Sequence, residues 1–221
     1  MLNRMDAREI IDGFDRILPE QEKALQLAAV NAGKFHASNS PIFTAFTQLQ
    51  FFVLTVDYDM RVMLRTLLAD PQSRVTAEKF LALTLEESDE FIGAVIGDMK
   101  KALRSAGNPA STDPAKNAFD AQRFDEVTAQ YWADVRPFRD DYAFNKTLRE
   151  IRNTVAGHIM GKQVGLLNSA GWIASRAAVP RTTDGVMTSQ IVGYSVTVLQ
   201  ALLKYSRGLH TCMSMSDSVK G

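Results

Sequence analysis

The chain has one cysteine, Cys212, in 221 residues. An internal disulfide framework and a cysteine-rich zinc cage are thereby excluded, which fits a reducing compartment. Histidine is nearly as scarce. His36, His158 and His210 stand far apart, with none at i+3 or i+4 to another histidine or cysteine, so no zinc spacing exists and neither metal nor cofactor is expected. Net charge is missing too: 25 basic and 25 acidic residues cancel, so any polyanion site has to be local. No apolar run is long enough for a bilayer span. Residues 35–56 and 185–203 lack Asp, Glu, Lys and Arg, but Ser, Thr and Gln interrupt both, with Asn39 in the first. The first sixteen residues, MLNRMDAREIIDGFDR, scatter charge and contain no apolar h-region, so no secretory signal is read and a cytoplasmic, membrane-free location is expected.

What the chain does have is helical periodicity and, at 46% hydrophobic residues, enough apolar surface for a core. Phe46, Leu49, Val53, Val56, Met60, Met63 and Leu67 step by three and four, predicting a core helix from about Pro41 to the DPQSR stretch. Thr84 and Glu87 read as a capping box opening a helix to about Ser105, after a short turn at 78–83. Residues 7–17 and 20–32 read as a helix interrupted near Pro19. After the connecting stretch GNPASTDPA, helices are predicted over 116–135 and 138 to about 160, parted at Pro137, the second with Phe144, Leu148, Ile151 and Val155 inward. A last helix covers 186–206, with Met187, Ile191, Tyr194, Val198, Leu202 and Tyr205 inward. No repeat and no strand is read. The expected fold is all-α, one helical bundle of about six to eight helices over residues 1–207, with a mobile tail at 208–221.

Chemistry concentrates in LREIRNTVAGHIMGK, residues 148–162. An imidazole exchanges protons near neutral pH, and a guanidinium offers a fixed positive fork to phosphate oxygens, so Arg152 and His158 suit work on a phosphodiester. Between Tyr142 and Arg181 stand Lys146, Arg149, Arg152, Lys162, Arg176 and Arg181 against Glu150 alone, a local charge of +5 in a neutral protein. The bland alternative is a solvated helix face balanced by acidic helices such as 86–98. Residues six apart on an ideal helix lie about 120° from each other. Arg152 and His158 therefore converge only if the helix changes course near Gly157 or if they meet across a subunit interface. The GHIMGKQ run is no phosphate loop, since its spacing is one residue short and Gln163 stands where Ser or Thr belongs.

The segment REIRNTVAGHI resembles the Arg-Asn-x4-His signature of HEPN domains, a superfamily of helical nucleotide-binding proteins. The order of helices over residues 10–207, including LLADPQSRVTAEKFLAL, is similar to the abortive-infection branch. The resemblance implies a bundle that dimerises so that two motifs face one cleft, acting as a metal-independent ribonuclease, toxin-like in a defence or toxin–antitoxin system. Carried onto this chain, it implies that Arg152 holds or stabilises the scissile phosphate, Asn153 orients the phosphate or the neighbouring motif, and His158 moves the proton as the 2′-hydroxyl attacks. An acidic residue from an earlier helix is expected against the arginine; Asp57 is the candidate, with Asp59 behind it. Arg149, Lys146 and Lys162 are expected to bind RNA. The other reading is a catalytically inactive HEPN-like protein that binds a nucleotide or a protein partner, such as an antitoxin or a nucleotidyltransferase. HIMGKQVG departs from the branch in lacking a charged residue directly after the histidine.

Overall fold

Ser40 and Pro41 begin the central helix for a plain reason. The serine hydroxyl accepts the Phe43 N–H at 3.2 Å, and proline at the first helical position gives up an N–H that would have no partner there. The computed structural model describes residues 7–36, 39–70, 72–151 and 181–213. Within these the helices are α1 (Ala7–His36), α2 (Pro41–Ala69), α3 (Arg74–Ala106), α4 (Ala121–Asp134), α5 (Arg136–Arg139), α6 (Tyr142–Ile151) and α7 (Arg181–His210). The fold is an all-α single-domain bundle. Among the described residues there is no strand beyond one isolated bridge between Phe119 and Met213.

The helix α2 is the hub, packed against α1, α3 and α7. Its expected stripe is buried from Phe46 through Met60, and Met63 and Leu67 lie half-buried against the same core. Leu81, Leu85, Ile92, Ile96 and Met99 of α3 recur at near-heptad spacing and are likewise buried. Each such side chain contributes about 1.5–3 kcal/mol of transfer free energy. From α7, Ile191, Val198, Leu202 and Tyr205 close the core as the sequence predicts, with Tyr194 half-buried.

Four boundaries differ from the sequence expectation. Helix α1 runs unbroken through Pro19. The lost hydrogen bond and ring clash cost about 3 kcal/mol, offset by packing along α2, by an Arg65–Asp15 ion pair, and by Thr44 donating to the Phe35 carbonyl at 2.7 Å. Helix α3 starts at Arg74 and passes through Thr84, whose hydroxyl donates back to the Phe80 carbonyl at 2.8 Å instead of capping. Helix α4 starts at Ala121, capped by Asp120 accepting the Arg123 N–H at 2.8 Å. Pro137 sits inside the first turn of α5, where proline is tolerated, and the helix parts on either side of it, at Val135 and again at Asp140 and Asp141.

The chain also stays packed beyond residue 207. Leu209 and Cys212 are fully buried, and Asp120 N–H donates to the Cys212 carbonyl at 2.8 Å. The connection after α3 is pinned as well. Asp113 accepts from Ser40 Oγ at 2.6 Å and from the Ile42 N–H at 3.1 Å, clasping the start of α2. None of the described helices is long and apolar enough to cross a membrane.

Candidate nucleic-acid interface

Arg152, Asn153, His158 and Lys162 lie outside the described residues. Helix α6 is described up to Ile151 and delivers the chain directly into that motif. Its inner face is set by Phe144 and Leu148, both buried as the sequence predicts. Phe144 packs against Tyr194 of α7, ring centroids 4.8 Å apart, and against Phe138 of α5 at 6.3 Å. Asp141 caps the helix by accepting the Phe144 N–H at 3.0 Å. A short helix held by an aromatic cluster and a cap presents its outer face in a fixed orientation.

That outer face is Tyr142, Asn145 and Arg149, three and four residues apart and thus one stripe. The stripe lines a cleft of about 480 Å³ whose other walls are Arg136 and Arg139 of α5, Asp140 just after it, Trp132 of α4 and Asp89 of α3. Arg139 is committed on two sides: it pairs with Asp89 at 2.9 Å, and its guanidinium carbon lies 4.4 Å from the Trp132 ring centroid. Such a cation over an indole face contributes about 0.5–1 kcal/mol at an exposed site. Arg136 pairs with Asp140 at 2.9 Å, both largely exposed, an arrangement that water and salt weaken. Arg149, exposed, has no ion-pair partner among the described residues, and Lys146 is exposed one turn beyond Tyr142. The Asn145 amide group donates to the Phe138, Arg139 and Asp141 carbonyls at 2.8, 3.3 and 3.0 Å.

Asp57 lies elsewhere. It is buried on the α1 side of α2, where Arg61 donates to both its oxygens at 2.9 and 3.0 Å and Gln21 of α1 adds a third bond at 2.6 Å. Helix α6 packs on α3 and α5. Among the described residues the arginine that Asp57 meets is Arg61. Asp59, behind it, is exposed. The acids that share a cleft with α6 are Asp89 of α3 and Asp140.

Trp132, Arg136, Arg139, Tyr142 and Asn145 were not singled out by sequence reasoning. Their signal lay in YWADVRPFRDDYAFN, where arginines and aromatics alternate, but the acids among them hide it from a charge count. A second groove, about 310 Å³ between α4 and α7, is lined by charges already paired with one another, Arg123 with Glu126 and Lys204 with Asp134. It offers a ligand no free charge. Among the described residues no three His, Cys, Asp or Glu gather as a metal site. Compared with known proteins, the chain matches no family model, no curated protein and no solved structure.

Proposed function

We propose that this chain is a metal-independent ribonuclease of the HEPN type, working as a homodimer and toxin-like in a defence or toxin–antitoxin setting. The observation that carries this reading is the anchored α6, which directly precedes the Arg152-Asn153-x4-His158 sequence in the chain and whose outer face bears exposed Lys146 and an exposed Arg149 with no ion-pair partner among the described residues. Positive side chains on a fixed helix hold a phosphate backbone in register. In the reaction, the ribose 2′-oxygen attacks the adjacent phosphorus and the bond to the 5′-oxygen breaks. His158 takes the hydroxyl proton, a proton is returned to the leaving oxygen, and Arg152 offsets the charge gathering on the phosphate, with Asn153 orienting it. The products are a 2′,3′-cyclic phosphate and a 5′-hydroxyl.

The test is incubation of the purified protein with mixed RNA in chelator, beside the His158→Ala variant. Cleavage by the wild type alone, leaving cyclic phosphate ends, is the expected result. Equal cleavage by both proteins, or none by either, removes the enzyme. RNA bound but never cut would leave a catalytically silent binder of a nucleotide or of a protein partner.

A further inference from the structure

We infer that the α5–α6 cleft is a subsite for one unpaired nucleotide of single-stranded RNA, with Tyr142 stacking the base and Arg136 and Arg149 each holding one flanking phosphate. The inference rests on the RNA-directed reading above and adds to it where, and in what form, the strand is held. Four features of the cleft point the same way.

Its volume, about 480 Å³, falls in the range of small-molecule sites and matches a nucleotide rather than a helix or a strand. The Tyr142 ring is 77% exposed at the rim, unusual for a large aromatic side chain and available as a flat platform. The two usable cations come from different helices, Arg136 from α5 and Arg149 from α6, and both line the same cleft as the ring, so a strand seated there has a cation for each of two phosphates. Arg139 is not a third: Asp89 and Trp132 hold it, and it stiffens the floor of the cleft.

The chemistry of each contact is ordinary. A phosphate replaces Asp140 on Arg136 at little cost, because that pair is solvent-exposed. It gives Arg149 the anionic partner that no described residue supplies, through a planar fork suited to two oxygens. Asn145 is fixed in orientation because three carbonyls surround its amide nitrogen, which leaves its carbonyl oxygen as the acceptor. Every base carries an N–H on its Watson–Crick edge, so that acceptor orients a base without selecting one. A base already paired in a duplex presents neither a free face nor that edge, so the subsite excludes double strands.

The experiment uses wild-type protein and a short, fluorescein-labelled, single-stranded 2′-O-methyl oligouridylate, whose blocked 2′-oxygen prevents cleavage, read by anisotropy across a salt series. Tyr142→Ala should weaken binding at least about fivefold while Tyr142→Phe keeps it, since stacking and not the hydroxyl is at work. The double variant Arg136→Ala/Arg149→Ala should flatten the slope of log affinity against log salt by about 1.4, or roughly 0.7 for each phosphate released. Lys23→Ala, on α1, should change nothing, and a duplex of the same sequence should not compete. Unchanged isotherms in the Tyr142→Ala and double-arginine proteins, equal binding of the duplex, or no binding by the wild type would overturn the subsite. The chelator assay with His158→Ala is independent of all these, so cleavage that persists while the cleft variants bind normally removes the subsite and leaves the ribonuclease.

Discussion

The Tyr194 hydroxyl of α7 donates to Asp141 Oδ2 at 2.7 Å, across 53 residues of sequence. Asp141 is also the cap of α6, its other oxygen accepting the Phe144 N–H. One carboxylate thus joins the first turn of the helix that leads into the Arg-Asn-His segment to the last long helix of the bundle. The Tyr194 bond, and after it the backbone bond, holds Asp141 below the ordinary carboxylate value. The same bond, with burial, pushes Tyr194 up to about 12.

The pair therefore makes stability depend on pH at both ends. Asp141 has a lowered folded value, so its contribution is complete above the unfolded value of about 3.9 and is lost as the pH falls through the lower folded one. Tyr194 has a raised folded value, so its contribution is complete below about 10 and is lost as the pH rises toward about 12. Urea midpoints measured from acid to alkali should show the wild type exceeding Tyr194→Phe on a plateau and converging with it at both extremes. A constant gap at every pH would show that the bond is not the cause.

Removing one partner of the Asp57–Arg61 pair should be costly. Both side chains are nearly buried, at 8% and 14% exposure, so Asp57→Ala leaves Arg61 without its counter-ion, a loss of about 3–5 kcal/mol. Replacing both with apolar residues of similar volume should recover most of it. Chemical denaturation of the two variants gives the comparison, and an Asp57→Ala protein as stable as the wild type would refute the buried pair.

At Gly208 the helix α7 lies close against α4. A β-carbon built there would lie 2.3 Å from Val127 Cγ1, and valine in a helix is confined largely to one rotamer. Gly208→Ala should therefore lower stability by about 1–3 kcal/mol despite alanine's better helix propensity. Adding Val127→Ala should restore part of the loss. Simple additivity of the two changes in thermal melts would mean that the helices do not touch there.

Cys212 should be inert while the protein is folded. It is fully buried, and burial first of all pushes its thiol up to about 11, so almost no thiolate exists at neutral pH. A disulfide reagent should titrate nothing in native protein and one thiol per chain in denaturant. Rapid labelling of the native protein would mean that the stretch after α7 opens readily.

Much of the bundle is legible in the sequence because helical burial repeats with a fixed period. The α2 stripe, Phe144 with Leu148, and the α7 stripe are read directly from apolar spacing. The errors share a cause: Pro19 and Thr84 are local signals for stopping or starting a helix, and tertiary packing overrode both. The neighbours of Asp57 were illegible for a related reason, since periodicity places it on a buried face of α2 but does not say that Arg61 and Gln21 meet it there. The cleft at Arg136, Tyr142 and Arg149 depends on three elements converging, and no spacing within one of them encodes it. Leu209 and Cys212 looked like a tail because so short a stretch has no period to read.

The clasp of Asp113 on Ser40 and Ile42 bears on how the chain can be cut and rebuilt. A segment that reads as a spacer in GNPASTDPA is in fact the bolt on the front end of the hub helix. Splitting the polypeptide there into two expressed halves, or grafting a reporter into it, would unfasten α2 at its first turn, so handles for purification or imaging belong on another part of the surface.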